Sequence, residues 1–276
     1  MRRSAALRGA LVHAVLIVAT VLTLFPIAII GLMAFKTNNE IFADPLGWPE
    51  IWRVGQLRDA WVQGNFARYY LNSISVAVPV VLIVVSTSTL AAFGLVFGGL
   101  RGGRFILALF LLGLIVPLQA IIVPLFHGLN DLGMLNSHGG LILAQSAVGL
   151  PFAVFLMRSF MLGLPHEIIE AARLDGAGDF QIFLRVIVPL CAPPVLTLAT
   201  LQFMYSWNDF LLPLMILQNP DLRTVTLGLF YLQGGTYTLN YAMISAGVLL
   251  TAVPIMAVFF LLQRQFIAGV TAGAVK

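Results

Sequence analysis

Glu167, Glu170, Arg173, Asp175, Asp179 and Arg185 all fall within HEIIEAARLDGAGDFQIFLRVIVP (166–189), in a chain that is 60% hydrophobic and only 9% charged. The opening HEIIE approaches the zinc-protease helix H-E-x-x-H. Its fifth position is Glu170, where a second metal-binding imidazole is required. His13, His127 and His138 have no ligand-like spacing, and no G-x-S-x-G nucleophile elbow is present. The only lysines are Lys36 and Lys276, and neither lies in a G-x-x-x-x-G-K-[ST] phosphate loop. A second group comprises Gln202, Tyr205, Ser206, Trp207, Asn208 and Asp209, polar and aromatic side chains inside an otherwise apolar run. Hydrogen-bonding groups mixed with ring faces suit a path for a sugar. The same residues also suit anchoring at a membrane interface or bonding to a neighbouring helix.

The elements that position these groups are set by hydropathy. A mean hydropathy of +0.98 leaves too little polar surface for a water-soluble domain. Six runs, at about 11–35, 71–97, 105–126, 141–161, 191–217 and 242–262, approach or exceed the roughly 20 residues that cross a bilayer. In hydrocarbon they must be helices, because unpaired backbone groups are too costly there. The alternation of an outer-membrane barrel is missing. The fold class is therefore an all-α polytopic membrane protein with six transmembrane helices. The first run follows Arg2, Arg3 and Arg8 but exceeds a secretory h-region and lacks a small-x-small site before Lys36, so it reads as an uncleaved span.

The basic balance (pI ≈ 9.6) follows from membrane topology. With the N-terminus inside, six spans return the C-terminus inside. The inner segments then carry ten of the 15 Lys and Arg residues, and Lys36, Arg53, Arg58, Arg68 and Arg223 remain outside. Positive-inside bias explains the charge with no nucleic acid as partner, and it places residues 162–190 in the cytoplasm. Cys191 is the only cysteine, a small side chain expected to be buried.

Within 162–190, Pro165 suits the first turn of a helix, and Glu167 and Glu170 complement its positive end. Glu170 is spaced to pair with Arg173 at i+3. Gly176 is expected to end this helix and Asp179 to cap a second. In the second helix Phe180, Phe183, Leu184 and Ile187 form one apolar stripe, and Pro189 is expected to end it. A solvated loop with a helix resting on lipid headgroups fits this pattern. So does a docking surface, since Ala171, Ala172, Gly176 and Ala177 form a smooth patch. Pro117 and Pro124 interrupt the third span and can turn polar groups toward a cavity.

Glu170-Ala171-Ala172, then Asp175-Gly176-Ala177, and further on Ile187-Val188-Pro189 resemble the EAA motif of ABC-type import permeases. The stretches NSISVAV (72–78), PLQAIIVPLFHGLNDLGMLNS (117–137), YSWNDFLLPL (205–214) and QRQFIAGVTAGAVK (263–276) resemble the six-span permeases of maltose-type carbohydrate importers. The likeness runs from about residue 12 to the end. It implies the ABC type I importer permease fold, as a single membrane domain over 1–276 with its core at about 70–265. It further implies that Glu170, Ala171, Ala172, Asp175, Gly176, Ala177 and Pro189 couple the chain to a cytoplasmic ATPase. ATP and Mg would bind on that partner, with no cofactor in this chain and no catalytic activity of its own. The other implied partners are a second, related permease, a second ATPase copy and an extracytoplasmic sugar-binding protein. The implied location is the bacterial inner membrane, and the tail would insert between the ATPase subunits. Three rivals remain. One is an ion-coupled transporter using Asp209, the only acid within a span. Another is an ABC permease for a phosphorylated polyol or similar solute, and the last is a non-transporting scaffold.

Overall fold

The structure, a computed structural model, describes residues 2–232 and 240–274. The end of the tail, including Lys276, lies outside the described residues. The described backbone is helical apart from its connections. In chain order the helices are α1 (Arg2–Met33), α2 (Asn38–Ala43), α3 (Gly55–Gln63), α4 (Phe66–Phe97), α5 (Gly103–Ile115), α6 (Leu118–Asp131) and α7 (His138–Met161). There follow α8 (His166–Leu174), α9 (Asp179–Ile182), a π turn at Phe183–Ile187, and α10 (Val188–Leu190). The last four are α11 (Ala192–Asn208), α12 (Leu211–Ile216), α13 (Val225–Leu232) and α14 (Tyr241–Ala274).

Among the described residues four helices are long and apolar enough to cross a membrane unbroken: Leu11–Met33, Phe66–Phe97, His138–Met161 and Tyr241–Leu261. Two bent pairs bring the number to six if each counts as one span. The third span is therefore not the single run expected over 105–126. It is α5 and α6, bent by 104°. Val116, held extended (ψ 116°) by the ring of Pro117, ends α5. Pro124 does not interrupt it but sits inside α6. The fifth span, expected over 191–217, is likewise divided: α11 ends at Asn208 and α12 begins at Leu211. Another bend, of 76°, separates α10 from α11 at Cys191, which is fully buried as expected. Pro193 and Pro194 stand in the first turn of α11, where a helix has no use for their missing N–H groups.

The chain divides into two compact units. In the first (1–67 and 229–253), Ala34, Ala60 and Ala246 pack together without exposure. Lys36, 1% exposed, donates from Nζ to the Asp44 carbonyl at 2.6 Å, and its own carbonyl accepts from Gln56 Nε2 at 2.8 Å. Thr37 and Glu40 form a capping box on α2, and the Thr37 backbone N–H holds the Glu40 carboxyl below the usual carboxylate range. On α1, Leu11, Val15 and Leu22 lie on one face and are at least 60% exposed.

The second unit (68–228 and 254–276) holds the larger core. Val76, Val80 and Val84 form one stripe of α4 and are buried in the same cluster as Leu141, Met157 and Met161 of α7 and Leu198 of α11. Asn72 and Ser73, the first residues of NSISVAV, tie down the segment before α13. Asn72 Nδ2 donates to the carbonyls of Asp221 (2.8 Å) and Arg223 (2.9 Å), and Ser73 Oγ accepts from the Val225 N–H at 2.8 Å. Arg68 pairs with Asp221 beside them. Removing both Asn72 bonds by Asn72→Ala is expected to cost about 1 kcal/mol, since one sits at an exposed site. Thermal unfolding of the detergent-solubilised chain should then begin roughly 2–4 °C lower. An unchanged midpoint would show that the Asn72 tie contributes nothing.

Candidate functional site

The charged segment forms a helix, a tight turn and a second, irregular helix. Pro165 (φ −61°, ψ 127°) precedes α8, with Glu167 in its first turn and Arg173 in its last. Gly176 takes φ +83°, a left-handed conformation that side chains with a Cβ adopt poorly. Ala177 N–H bonds the Ala172 carbonyl and Gly176 N–H the Arg173 carbonyl, both at 3.0 Å, the paired bonds of a Schellman motif. Gly178, not Asp179, is the residue preceding α9, and Asp179 begins it.

The apolar stripe does not survive as one face. Phe183 and Ile187 are buried in the main core with Ile182, whereas Phe180 is 71% and Leu184 47% exposed. Phe180 precedes, and Leu184 lies within, a π turn at 183–187, in which Val188 N–H reaches five residues back to the Phe183 carbonyl. A wider turn rotates the following residues out of the 3.6-residue register. Pro189, expected to end this helix, instead lies within α10 and is exposed. The π turn changes the hydrogen-bond register just before it, so its missing N–H breaks no helix there.

The loop is fixed to the end of α4. Arg173 Nη2 donates to the Phe97 carbonyl and to Asp179 Oδ1, each at 3.2 Å. The expected Glu170–Arg173 pair is not formed. Glu170 is exposed, with no partner among the described residues. The His166 ring meets Phe97 edge-on at 5.2 Å, and Phe183 lies 5.4 Å from Phe93. Ile169, 3% exposed, packs α8 into the core, and Ala172 and Ala177 lean on it half-buried. The smooth patch therefore splits: Ala171 and Gly176 face outward with Glu170 and Asp175. Sequence reasoning missed Leu174, 89% exposed at the end of α8. An apolar side chain inside so charged a segment was the available signal.

The second candidate group is also divided by the structure. Ser206 Oγ donates to Gln145 Oε1 at 2.6 Å, and Gln145 Nε2 donates to Asp209 Oδ2 at 2.8 Å. Asp209 Oδ1 accepts from the backbone N–H groups of Leu211 (3.1 Å) and Leu212 (3.4 Å). Asp209 thus satisfies the first N–H groups of α12 at the break in the fifth span. Trp207, 1% exposed, stacks on Phe203 and meets Tyr70 edge-on, and its carbonyl accepts from Thr226 Oγ1 at 2.7 Å. Asn208 Nδ2 bonds back to the Met204 carbonyl at 2.9 Å. Ser206 and Trp207 therefore serve packing. Tyr205, Asn208 and Asp209 line an open cleft of about 530 Å³ with Gln119, the second residue of α6. The breaks in the third and fifth spans thus face one space. Gln119 and Gln145 were missed in the sequence, although a glutamine in an apolar run marks them. Among the described residues no cluster of His, Cys, Asp and Glu could hold a metal ion.

A family model described as binding-protein-dependent transport system inner membrane component matches residues 85–271. The diacetylchitobiose uptake system permease protein of Streptomyces coelicolor is 34% identical over 97% of this chain and 89% of its own length. An arabinooligosaccharides transport system permease protein of Halalkalibacterium halodurans is 36% identical over 77% of this chain and 75% of its own. In fold, the chain is similar to a subunit of a bacterial ABC transporter involved in the import of the acidic polysaccharide alginate. The TM-score is 0.82, at 22% identity, over 96% of this chain and 98% of that one. The bent helix pairs, the exposed loop fixed to the end of α4 and these matches lead to one conclusion: the chain belongs to the inner-membrane permease components of binding-protein-dependent transport systems.

Proposed function

We propose that the chain is one of two membrane subunits of an ATP-driven carbohydrate importer, passing a mono- or oligosaccharide or a related polyol across the inner membrane. The relatives named for diacetylchitobiose and arabino-oligosaccharide transport support the substrate class. The observation that carries the coupling role is the loop itself. Glu170, Ala171, Asp175, Gly176 and Pro189 are exposed on a segment whose other side is packed into the main core through Ile169, Ala172 and Ala177. A loop needing only solubility gains nothing from being held so firmly, nor from Leu174 and Phe180 standing in water.

On this reading the loop faces the cytoplasm, both termini are cytoplasmic, and the whole chain acts as one membrane domain with its core at about 70–265. An ATPase pair holding ATP and Mg docks on residues 162–190, a second permease completes the path, and an extracytoplasmic binding protein delivers the sugar. Closure of the ATPases moves α8, and the spans tilt to expose the path alternately. Of the path residues inferred from sequence, Gln202, Tyr205, Asn208 and Asp209 keep that role, and Ser206 and Trp207 support them from behind. Ion coupling through Asp209 is disfavoured, because both carboxylate oxygens already accept hydrogen bonds. A phosphorylated solute is disfavoured too, since among the described residues no Lys or Arg lines the cleft.

Mild extraction of the chain expressed with its chromosomal neighbours should recover an ATPase and a second permease by mass spectrometry. Reversing Glu170 and Asp175 to lysine should lose the ATPase but keep the chain in the membrane. Recovery of the chain alone, moving solute in liposomes without ATP, would defeat the reading. Gly176→Pro replaces a residue at φ +83° with one fixed near −65° and is expected to abolish ATP-driven uptake with insertion intact. Normal uptake by that variant would remove the coupling role. Arg173→Ala frees α8 from the Phe97 carbonyl, so amide exchange across 166–182 should quicken in the assembled complex; unchanged exchange would show that Arg173 does not fix the loop.

A further inference from the structure

The segment between α1 and α3 is built the opposite way from a loop in water. Lys36 is buried with its ammonium on the Asp44 carbonyl, whereas Phe42, Leu46, Trp48, Ile51, Trp52 and Val54 are each more than half exposed. A lysine is almost never buried without a partner, and so many large apolar side chains on one short surface segment mark an interaction site. The segment is not loose. The Arg53 N–H donates to the Phe35 carbonyl at 3.3 Å, and Gln56 Nε2 donates to the Lys36 carbonyl at 2.8 Å. Asp44 Oδ1 accepts from the Gly47 N–H at 2.9 Å, and a Cβ at position 47 would run into the same carboxylate. Polar groups turn inward and hold the apolar ones out.

Ring contacts fix the depth of this patch. Phe35 follows closely on Met33, the last residue of α1, and its ring lies 5.2 Å from that of Trp52. Trp52 in turn lies 6.3 Å from Trp48. Phe42 meets Tyr241, the first residue of α14, edge-on at 5.4 Å. Beside that contact Asn38 Oδ1 accepts from the Ala242 N–H at 3.3 Å, and Ala34 packs with Ala246. Both α1 and α14 are long and apolar enough to cross a membrane, so the patch is joined to two points at which a span leaves the hydrocarbon. Asp44, Glu50 and Arg53 are exposed among the apolar side chains. Hydrocarbon would reject these charges, whereas the headgroup layer accepts them together with indole rings. A soluble protein would have to displace headgroups to reach rings held so near the span ends.

We propose that residues 35–54 form a lipid-binding shelf. Trp48 and Trp52, with Phe42, Leu46, Ile51 and Val54, lie in the headgroup layer and hold the adjoining ends of α1 and α14 at that depth. The ligand is phospholipid at the boundary between headgroup and acyl chain, which offers apolar area to the rings and acceptors to the indole N–H groups. The shelf requires only the inner-membrane location of the family. It depends neither on the sugar reading nor on which side of the membrane the shelf faces.

The test compares the complete importer in liposomes with its Trp48→Phe/Trp52→Phe variant, so that the difference in tryptophan emission belongs to these two residues. Phenylalanine keeps an aromatic ring at both exposed positions. In phosphatidylcholine brominated high on its acyl chains, next to the headgroup, the difference should fall several-fold. In the same lipid brominated near the chain ends it should fall less. Iodide dissolved on both sides should quench the difference far less than it quenches free tryptophan, and added binding protein should change none of these results. Trp48→Phe alone, which spares the Phe35–Trp52 contact, should behave the same at smaller amplitude. A difference that iodide removes and brominated lipid does not would put the patch in water and overturn the shelf. Iodide quenching that the binding protein suppresses would make the patch a protein docking surface, and the proposal would fall. Stronger quenching from the chain ends would place the rings in hydrocarbon and refute the headgroup assignment.

Discussion

Hydrocarbon offers a peptide group nothing to bond with, so a helix that breaks inside the membrane must find partners for its loose ends within the protein. Among the described residues the spans break at three places, and each break is closed differently. At Val116-Pro117 the proline brings no N–H, so α6 starts with one orphan donor fewer. At Cys191 the two prolines that follow remove donors from the first turn of α11, and Thr197 Oγ1 donates to the Pro193 carbonyl at 3.0 Å. At Asp209 the closure is made by a side chain. One carboxylate oxygen accepts the first N–H groups of α12, and the other is steered by Gln145, which is steered in turn by Ser206. Polar residues that look expensive in a span are here the condition for its being broken at all.

That constraint also decides where the polar cleft lies. A continuous span shows lipid or its neighbours nothing but side chains, whereas a broken one brings the residues beside the break to a common opening. Gln119 follows the break at Pro117, and Asn208 and Asp209 form the break in the fifth span, and all three line one cleft. The two bends are far apart in sequence. They meet because α6 and α12 both pack on α7.

How much of this was legible in the sequence depends on whether a local rule or a tertiary contact set the outcome. The glycine turn at Gly176 was legible, because a left-handed cap is a local demand that DGAG answers. The partner of Arg173 was not. The guanidinium chose a carbonyl 76 residues away over the carboxylate one turn back, and helical spacing carries no information about the end of α4. The stripe of Phe180, Phe183, Leu184 and Ile187 was misread for a different reason. Its spacing assumes 3.6 residues per turn, which the π turn does not keep beyond Phe183, and it carries no information about where the core ends, which leaves Phe180 outside. In the fifth span the composition correctly marked a polar cluster. It could not tell that Trp207 and Ser206 turn inward and Tyr205 and Asn208 outward, since that depends on the azimuth of α11 in the core. Gln145 stood out as a glutamine in an apolar run, but its partners, Ser206 and Asp209, lie on another helix and its end, and spacing does not reach them.

The exposed loop and the polar face of α11 are two ends of one packed body. Ile169 of α8, Ile182 and Ile187 of the segment around the π turn, Cys191 at the bend and Leu198 of α11 are all at most 3% exposed and belong to one core cluster. Such a core is packed too closely to absorb a displacement gradually, so a shift imposed on α8 is passed on as movement of whole helices. The weak points are then the places where the backbone is irregular: the π turn, the bend at Cys191 and the break at Asp209. A partner that binds α8 better in one arrangement than in another shifts the populations of both by that difference in affinity and no more. On the proposed reading this is why the exposed contacts of the loop matter energetically and the buried ones mechanically. Leu174, Phe180 and Glu170 can supply a difference in affinity, and Ile169 and Phe183 can only transmit it.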